Sequence, residues 1–202
     1  MNKTDLEYYG IYAPILMEKQ KMVLDEVNRI LDSLTDDPEH APAEHIISRI
    51  KSSESLEGKL KRQNLPKGPA SGLTNLMDLI GVRIVTHFVG DVYAVLEGIE
   101  KSDLWEVHWV KDYIANPKPN GYRSLHAIIK FPVDCPGFET IMAEIQLRTI
   151  AMDCWASLEH QLKYKKDIKN TELIVAELKR CADEMASTDL TMQTIRDMIS
   201  GR

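Results

Sequence analysis

Three polar side chains alternate through one short apolar segment. In Ile141–Arg148, residues Glu144, Gln146 and Arg148 fall on one side of an extended chain, with Ile141, Ala143, Ile145 and Leu147 on the other. Such a polar face is costly to bury unless it lines a site. The alternative is an edge strand whose polar face is solvated. A second chemical signal lies upstream. Residues 49–67 hold Arg49, Lys51, Lys59, Lys61, Arg62 and Lys67 against only Glu54 and Glu57, which suits either a solvated face or a polyanion site. Arg offers flat, permanently charged forks for phosphates and a plane that stacks on bases, whereas Lys offers point charges. Asp78 and Glu144 are two carboxylates of the kind that hold Mg²⁺ together with substrate phosphates. Tyr122, beside a turn glycine, is either an exposed stacking platform for a base or a core-edge tyrosine. His126 alone reads more readily as a structural or surface histidine than as a catalytic one.

The elements that must position these groups follow from local pattern. A long helix is expected over 4–34, with Pro14 at a break or at its true start. The stretch TDDPEHAPAEH is expected as a loop, and Ile46–Lys51 as a strand that puts Arg49 and Lys51 on one face. Ser53 is expected to cap a helix to Gln63, bringing Lys59 and Arg62 to one side. Residues 64–73 read as a Pro/Gly-rich loop, Leu76–Leu79 as a short helix carrying Asp78, and the segment after Gly81 as a strand carrying Arg83. A helix capped by Asp91 runs to Lys101, followed by a strand over 105–114. The Asn120-Gly121 reversal leads into a strand from Arg123 to Phe131. Thr149 is expected to cap a helix to Lys166, and another helix fills most of 171–199. Strands flanked by helices make an α/β (α+β) core with a mixed β-sheet.

Composition narrows the class. The chain has 202 residues, 44% hydrophobic and 28% charged, which fits a folded globular protein. No run approaches the roughly 18 apolar residues of a membrane helix. The N-terminus carries no secretory pattern, and Cys135, Cys154 and Cys181 form neither a zinc pattern nor a disulfide framework, so a reducing, cytoplasmic setting is expected. The net charge of −6 argues against a broad nucleic-acid surface. That excess is uneven, since residues 1–47 alone carry −6 and the strip 49–67 carries +4. The phosphate loop GxxxxGK[ST], a GxGxxG turn, HExxH and a His-Asp pair are all missing. A phosphate site must therefore be built from side chains.

Four segments in order, RIKSSESLEGKLKR (49–62), DLIGVRI (78–84), DYIANPKPNGYRSLH (112–126) and EIQLRTIAMDCWASLEH (144–160), closely resemble the synthetase domain of the RelA/SpoT family, the alarmone synthetases. The resemblance implies a nucleotidyltransferase-like synthetase fold over 45–166, with helical extensions at 1–44 and 167–202. It implies transfer of the β,γ-pyrophosphate of ATP to the 3′-OH of GDP or GTP, giving ppGpp or pppGpp and AMP, with Mg²⁺. The short chain, without a His-Asp hydrolase segment or a regulatory extension, resembles the small synthetase-only members, which implies a homotetramer formed through the terminal helices. By resemblance, Arg49 and Arg83 sandwich adenine, while Lys51, Lys59 and Arg62 hold the ATP phosphates. Asp78 ligates Mg²⁺, and Glu144 contacts the attacking hydroxyl as base, metal ligand or both. Tyr122 stacks on guanine, and Lys118, His126, Gln146 and Asp153 contact the acceptor nucleotide. Two alternatives remain open at this level: pyrophosphorylation of a tRNA 3′ end, and a non-catalytic nucleotide- or RNA-binding regulator. Intact Asp78 and Glu144 weigh against the second.

Overall fold

The computed structural model describes residues 1–35, 41–163 and 171–201. Its elements are α1 (Lys3–Tyr9), a 3₁₀ turn (Gly10–Tyr12), α2 (Ala13–Ser33), β1 (Ala43–Ile50), α3 (Ser53–Arg62), α4 (Pro69–Asn75), β2 (Ile80–Thr86), α5 (Val89–Glu100), β3 (Glu106–Asp112), β4 (Leu125–Cys135), β5 (Phe138–Thr149), α6 (Ile150–Lys163) and α7 (Thr171–Ser200). The expected loop over 35–45 and the last turn of the helix to Lys166 fall partly outside the described residues, at 36–40 and 164–166.

The five strands form one mixed sheet in the order β1-β2-β5-β4-β3. Only β2 and β5 run parallel; the other three pairings are antiparallel. The period-2 pattern of β5 survives intact. Ile141, Ala143, Ile145 and Leu147 are buried on one face with Val82 and Ile84 of β2 and Leu125, Ala127 and Ile129 of β4. Helices α2 and α5 pack on that apolar face, and Leu56 and Leu60 of α3 and Leu73 of α4 join the same core. On α2, Leu16, Val23, Val27 and Ile30 recur at helical spacing and are fully or almost fully buried, and Val92, Val95 and Ile99 of α5 are completely buried. These two helices meet at Gly98, where an added Cβ would lie 2.3 Å from Ile30 Cγ2. The opposite face, carrying Glu144, Gln146 and Arg148, is left for polar groups.

Several boundaries differ from the sequence expectation. The single N-terminal helix is two, because Pro14 sits in the first turn of α2, where its missing N–H is harmless. The stretch expected as loop at 64–73 contains α4, which starts at Pro69 for the same reason. Conversely, 76–79 is not helical: Leu76 is extended, and Asp78 sits in the bend that leads into β2. Helix α3 is capped by Ser52 rather than Ser53, with its hydroxyl accepting from the Ser55 N–H. Asp91 lies one turn inside α5, accepting from the Phe88 N–H instead of capping the helix as N-cap.

Helix α7 packs back onto the body of the protein. Trp155 of α6 is buried against Leu178 and Ala182, and its indole N–H donates to the Leu178 carbonyl. Arg123 pairs with Asp183 at 2.9 Å and Arg196 with Asp91 at 2.6 Å. The turn before β4 fits beneath α7 at Gly121, whose φ of +89° favours glycine and where a Cβ would lie 2.6 Å from that of Ala182.

Candidate active site

Register assembles the polar face. Gly81 of β2 stands opposite Glu144 of β5, and Arg83 opposite Gln146. On the other side of β5, His126 pairs with Gln146 and Ile128 with Glu144. Arg49 of β1 pairs with Gly81. One row across the sheet therefore reads Arg49, Gly81, Glu144, Ile128, and the next reads Ile47, Arg83, Gln146, His126.

On the β1 side lies a cleft of about 150 Å³ lined by Arg49, Asp78, Gly81, Arg83, Glu144 and Gln146. Lys51, one residue past β1, is buried, and its N–H donates to the Leu79 carbonyl at 2.8 Å. Its ammonium lies 3.0 Å from Asp78 Oδ2, and that of Lys59 lies 2.9 Å from the same oxygen. Burial acts most strongly on Asp78 and pushes its pKa up. The two lysines outweigh it, so the carboxyl is held below the ordinary aspartate range. Asp78 Oδ1 and Arg83 Nε are buried without a hydrogen-bond partner. Arg49 and Arg83 also line a second cavity of about 490 Å³ with Tyr122, Arg148 and His160, so the two spaces meet at the arginines.

On the β4 side the polar groups are linked. Tyr122 Oη lies 2.8 Å from His126 Nε2, and His126 Nδ1 lies 2.9 Å from Glu144 Oε1. Gln146 Nε2 donates to Glu144 Oε2 at 2.9 Å. Burial, the strongest influence on Glu144, raises its pKa, but the hydrogen bonds from His126 and Gln146 outweigh it, and the carboxyl is held below the ordinary glutamate range. Lys118 Nζ sits 4.6 and 4.7 Å from the ring centres of Tyr113 and Tyr122.

The residues singled out from sequence thus converge, with three qualifications. Arg62 is exposed at the end of α3 and does not line the cleft. Tyr122 is half-buried rather than an open platform, packed edge-on to Tyr113, His126 and Trp155. Asp153 is engaged by two arginines, Arg148 at 2.9 Å and Arg83 at 3.2 Å. In the sequence, Arg148 stands out only as part of an alternating face. In the fold it is almost completely buried and donates to Tyr122, Gln146, Ser124 and Asp153. Its place in the alternation was the one signal available.

The donor set suits a hard divalent cation. Asp78 keeps one buried oxygen without a partner, and Glu144 lines the same cleft. No cluster of three or more His, Cys, Asp or Glu able to hold a metal occurs among the described residues. Asp78 and Glu144 are the residues of this cleft that could hold a divalent cation such as Mg²⁺, which keeps its waters and takes substrate phosphates as further ligands. Among the described residues no helix is long and apolar enough to cross a membrane.

Residues 48–169 match the region found in RelA / SpoT proteins. The GTP pyrophosphokinase YwaC of Bacillus subtilis is 40% identical over 90% of this chain and 83% of its own length. The crystal structure of the small alarmone synthetase 1 from Bacillus subtilis bound to its product pppGpp superposes with a TM-score of 0.78, at 29% identity, over 98% of this chain and 99% of that one. The same synthetase bound to AMPCPP superposes with a TM-score of 0.70, at 25% identity, over the whole of both chains. Strand register, the cleft they frame and these likenesses agree, and the chain belongs to the RelA/SpoT family.

Proposed function

We propose that this protein is a GTP/GDP pyrophosphokinase that makes ppGpp or pppGpp and AMP from ATP and GDP or GTP. The observation that carries the reading is the position of Glu144. It lies between a cleft lined by Arg49, Arg83 and Asp78 on one side and the Tyr122–His126 pair on the other. A carboxylate so placed can meet a ribose hydroxyl from one nucleotide and the phosphates of another.

In this reading Arg49 and Arg83 stack on the adenine of ATP, while Lys51 and Lys59 draw on its phosphates. Tyr122 stacks on guanine, and Lys118, His126, Gln146 and Asp153 hold the acceptor. The acceptor 3′-oxygen attacks the β-phosphorus of ATP. A ribose O–P bond forms, the bridge between the α- and β-phosphates breaks, AMP leaves, and the hydroxyl proton passes to Glu144. Such transfers demand little covalent chemistry; they depend on alignment and on neutralising charge. Asp78 and Glu144 would hold Mg²⁺, which supplies charge neutralisation at the phosphates when bound. Release of Lys51 and Lys59 from Asp78 toward those phosphates exchanges one anionic partner for another. Proton removal is expected late, since a ribose hydroxyl is a weak acid.

The same reading takes 45–166 as the synthetase core, with α1 and α2 before it and α7 after it as the helices that assemble four copies. Leu6 and Ile11 near the start, and Leu190, Ile195, Met198 and Ile199 on α7, leave apolar surface exposed in support of assembly, and sedimentation analysis checks it. A cytoplasmic location, where all three cysteines stay free, completes it.

The test incubates purified protein with Mg²⁺, γ-labelled ATP and, separately, GDP, GTP and deacylated tRNA, and then resolves the products. Label on guanine nucleotide is the expected result. Label on tRNA alone would overturn the proposal.

A further inference from the structure

We infer that Arg148 is a positioning residue that sets the direction of the two side-chain hydrogen bonds the Glu144 carboxylate receives, from His126 and Gln146. The inference rests on the function proposed above for Glu144, but its geometry stands by itself. Arg148 is almost completely buried, and a guanidinium can only donate. It donates from Nη2 to Tyr122 Oη at 2.7 Å and to Gln146 Oε1 at 3.3 Å, from Nη1 to Asp153 Oδ1 at 2.9 Å, and from Nε to Ser124 Oγ at 3.3 Å.

Two branches leave Arg148 and rejoin at Glu144. In the first, Tyr122 Oη already accepts from Arg148, so its own proton goes to its other partner, His126 Nε2, 2.8 Å away. A proton on Nε2 as well would leave the phenolic hydrogen without a protein acceptor, which is costly in a half-buried site. His126 then carries its proton on Nδ1, where it donates to Glu144 Oε1 at 2.9 Å. In the second branch, Gln146 turns its carbonyl toward Arg148 and so presents its amide N–H to Glu144 Oε2 at 2.9 Å. A flipped amide would set oxygen against oxygen at Glu144 and nitrogen against nitrogen at Arg148.

Both carboxylate oxygens are therefore met by donors whose orientation traces to one cation that touches neither. Ser124 holds that cation in place while donating its own proton to the Leu147 carbonyl at 3.2 Å. Asp153 balances its charge and, through Arg83 at 3.2 Å, ties it to the arginine that lines the other cleft. Arg148 thus fixes Glu144 in one rotamer before either nucleotide arrives. Chains of hydrogen bonds running in one sense also polarise one another, strengthening those at the end.

The experiment compares wild type, Arg148→Lys and Tyr122→Phe in two ways. Steady-state kinetics with ATP and GDP separate kcat from KM. The ¹⁵N resonances of the His126 ring, assigned by comparison with His126→Gln, are recorded without nucleotide at a pH well above the ordinary histidine range, and they report which nitrogen carries the proton. Lysine keeps the charge but ends one bond short of the Nη2 position and loses the rigid fork that Ser124 and Asp153 hold in place. Tyr122→Phe keeps the ring and removes only the linking oxygen. Both variants are expected to lose about 10- to 100-fold in kcat, with each KM within about threefold of wild type. The Nδ1–H form is expected alone in wild type and mixed with Nε2–H in both variants. An unchanged kcat, a loss carried by KM, or a His126 tautomer unaltered in both variants would overturn the inference. If Arg148→Lys does not fold, Tyr122→Phe decides on the same readouts. A wild type inactive on guanine nucleotides would reject the proposed function instead, while the tautomer measurement, which needs no turnover, still judges Arg148.

Discussion

Gly81 stands directly opposite Glu144 across the parallel β2/β5 pair. With no side chain at 81, the space beside the carboxylate stays open and becomes the floor of the cleft between Arg49 and Asp78. The one parallel pairing in the sheet therefore also opens the site.

Gly81→Val keeps a strand-compatible residue but fills that floor. The expected result is a normally folded protein whose KM for ATP rises about tenfold or more. Gly81→Ala, whose Cβ would meet Arg49 at an ordinary 3.8 Å, is expected to retain most activity. Equal behaviour of the two variants would show that nothing binds over Gly81.

Glu144→Gln removes the proposed proton acceptor at nearly constant shape. Turnover is expected to fall at least about 100-fold, while calorimetric binding of a non-hydrolysable ATP analogue and of GDP stays close to wild type. Near-normal turnover would take Glu144 out of the chemistry.

The proposed function gives the ring and the hydroxyl of Tyr122 separate tasks. On that proposal, truncation to Ala removes a stacking surface worth about 1–3 kcal/mol per base, so KM for the acceptor is expected to rise well beyond that of Tyr122→Phe. The same acceptor KM in the Ala and Phe variants would end the stacking assignment.

Asp5 ties α1 to the corner between β1 and α3. Its carboxylate accepts from both the N–H and the hydroxyl of Ser53, each at 2.7 Å. The backbone bond, then the hydroxyl bond, holds its pKa below the usual aspartate value against the opposing effect of burial. A carboxyl whose pKa is lowered by folding contributes fully above its unfolded pKa, and the contribution is lost as pH falls through the lowered value. Asp5→Asn is expected to cost about 1–2 kcal/mol at neutral pH and to flatten the decline of stability on acidification. Urea melts at neutral and acidic pH check it, and parallel losses at both would contradict it.

Gly121→Ala meets a positive φ and Ala182 together. We expect destabilisation of about 1–3 kcal/mol and looser packing of α7, seen as a lower Tm and faster amide exchange around Leu178 and Ala182. A Tm unchanged from wild type would show that the turn can shift without loss.

The strands, the apolar face and most of the groups that meet at the site were legible in the residue order alone. Alternation along Ile141–Leu147 needs only the geometry of an extended chain, and ordered motifs carried the family. Turn chemistry was less legible. Proline can open a helix as readily as stop one, so α4 was hidden in a stretch that read as loop. How the polar groups are wired emerged from the folded arrangement. Glu144, His126, Tyr122 and Arg148 come from β5, β4 and the turn before it, and nothing local tells a buried donor which acceptor it will face. Arg148 acts through a direction of hydrogen bonding, which exists only once register has brought its partners within reach. The same holds for Arg62: its charge was legible, but its exposure on α3 followed from which face of the helix the core claimed through Leu56 and Leu60.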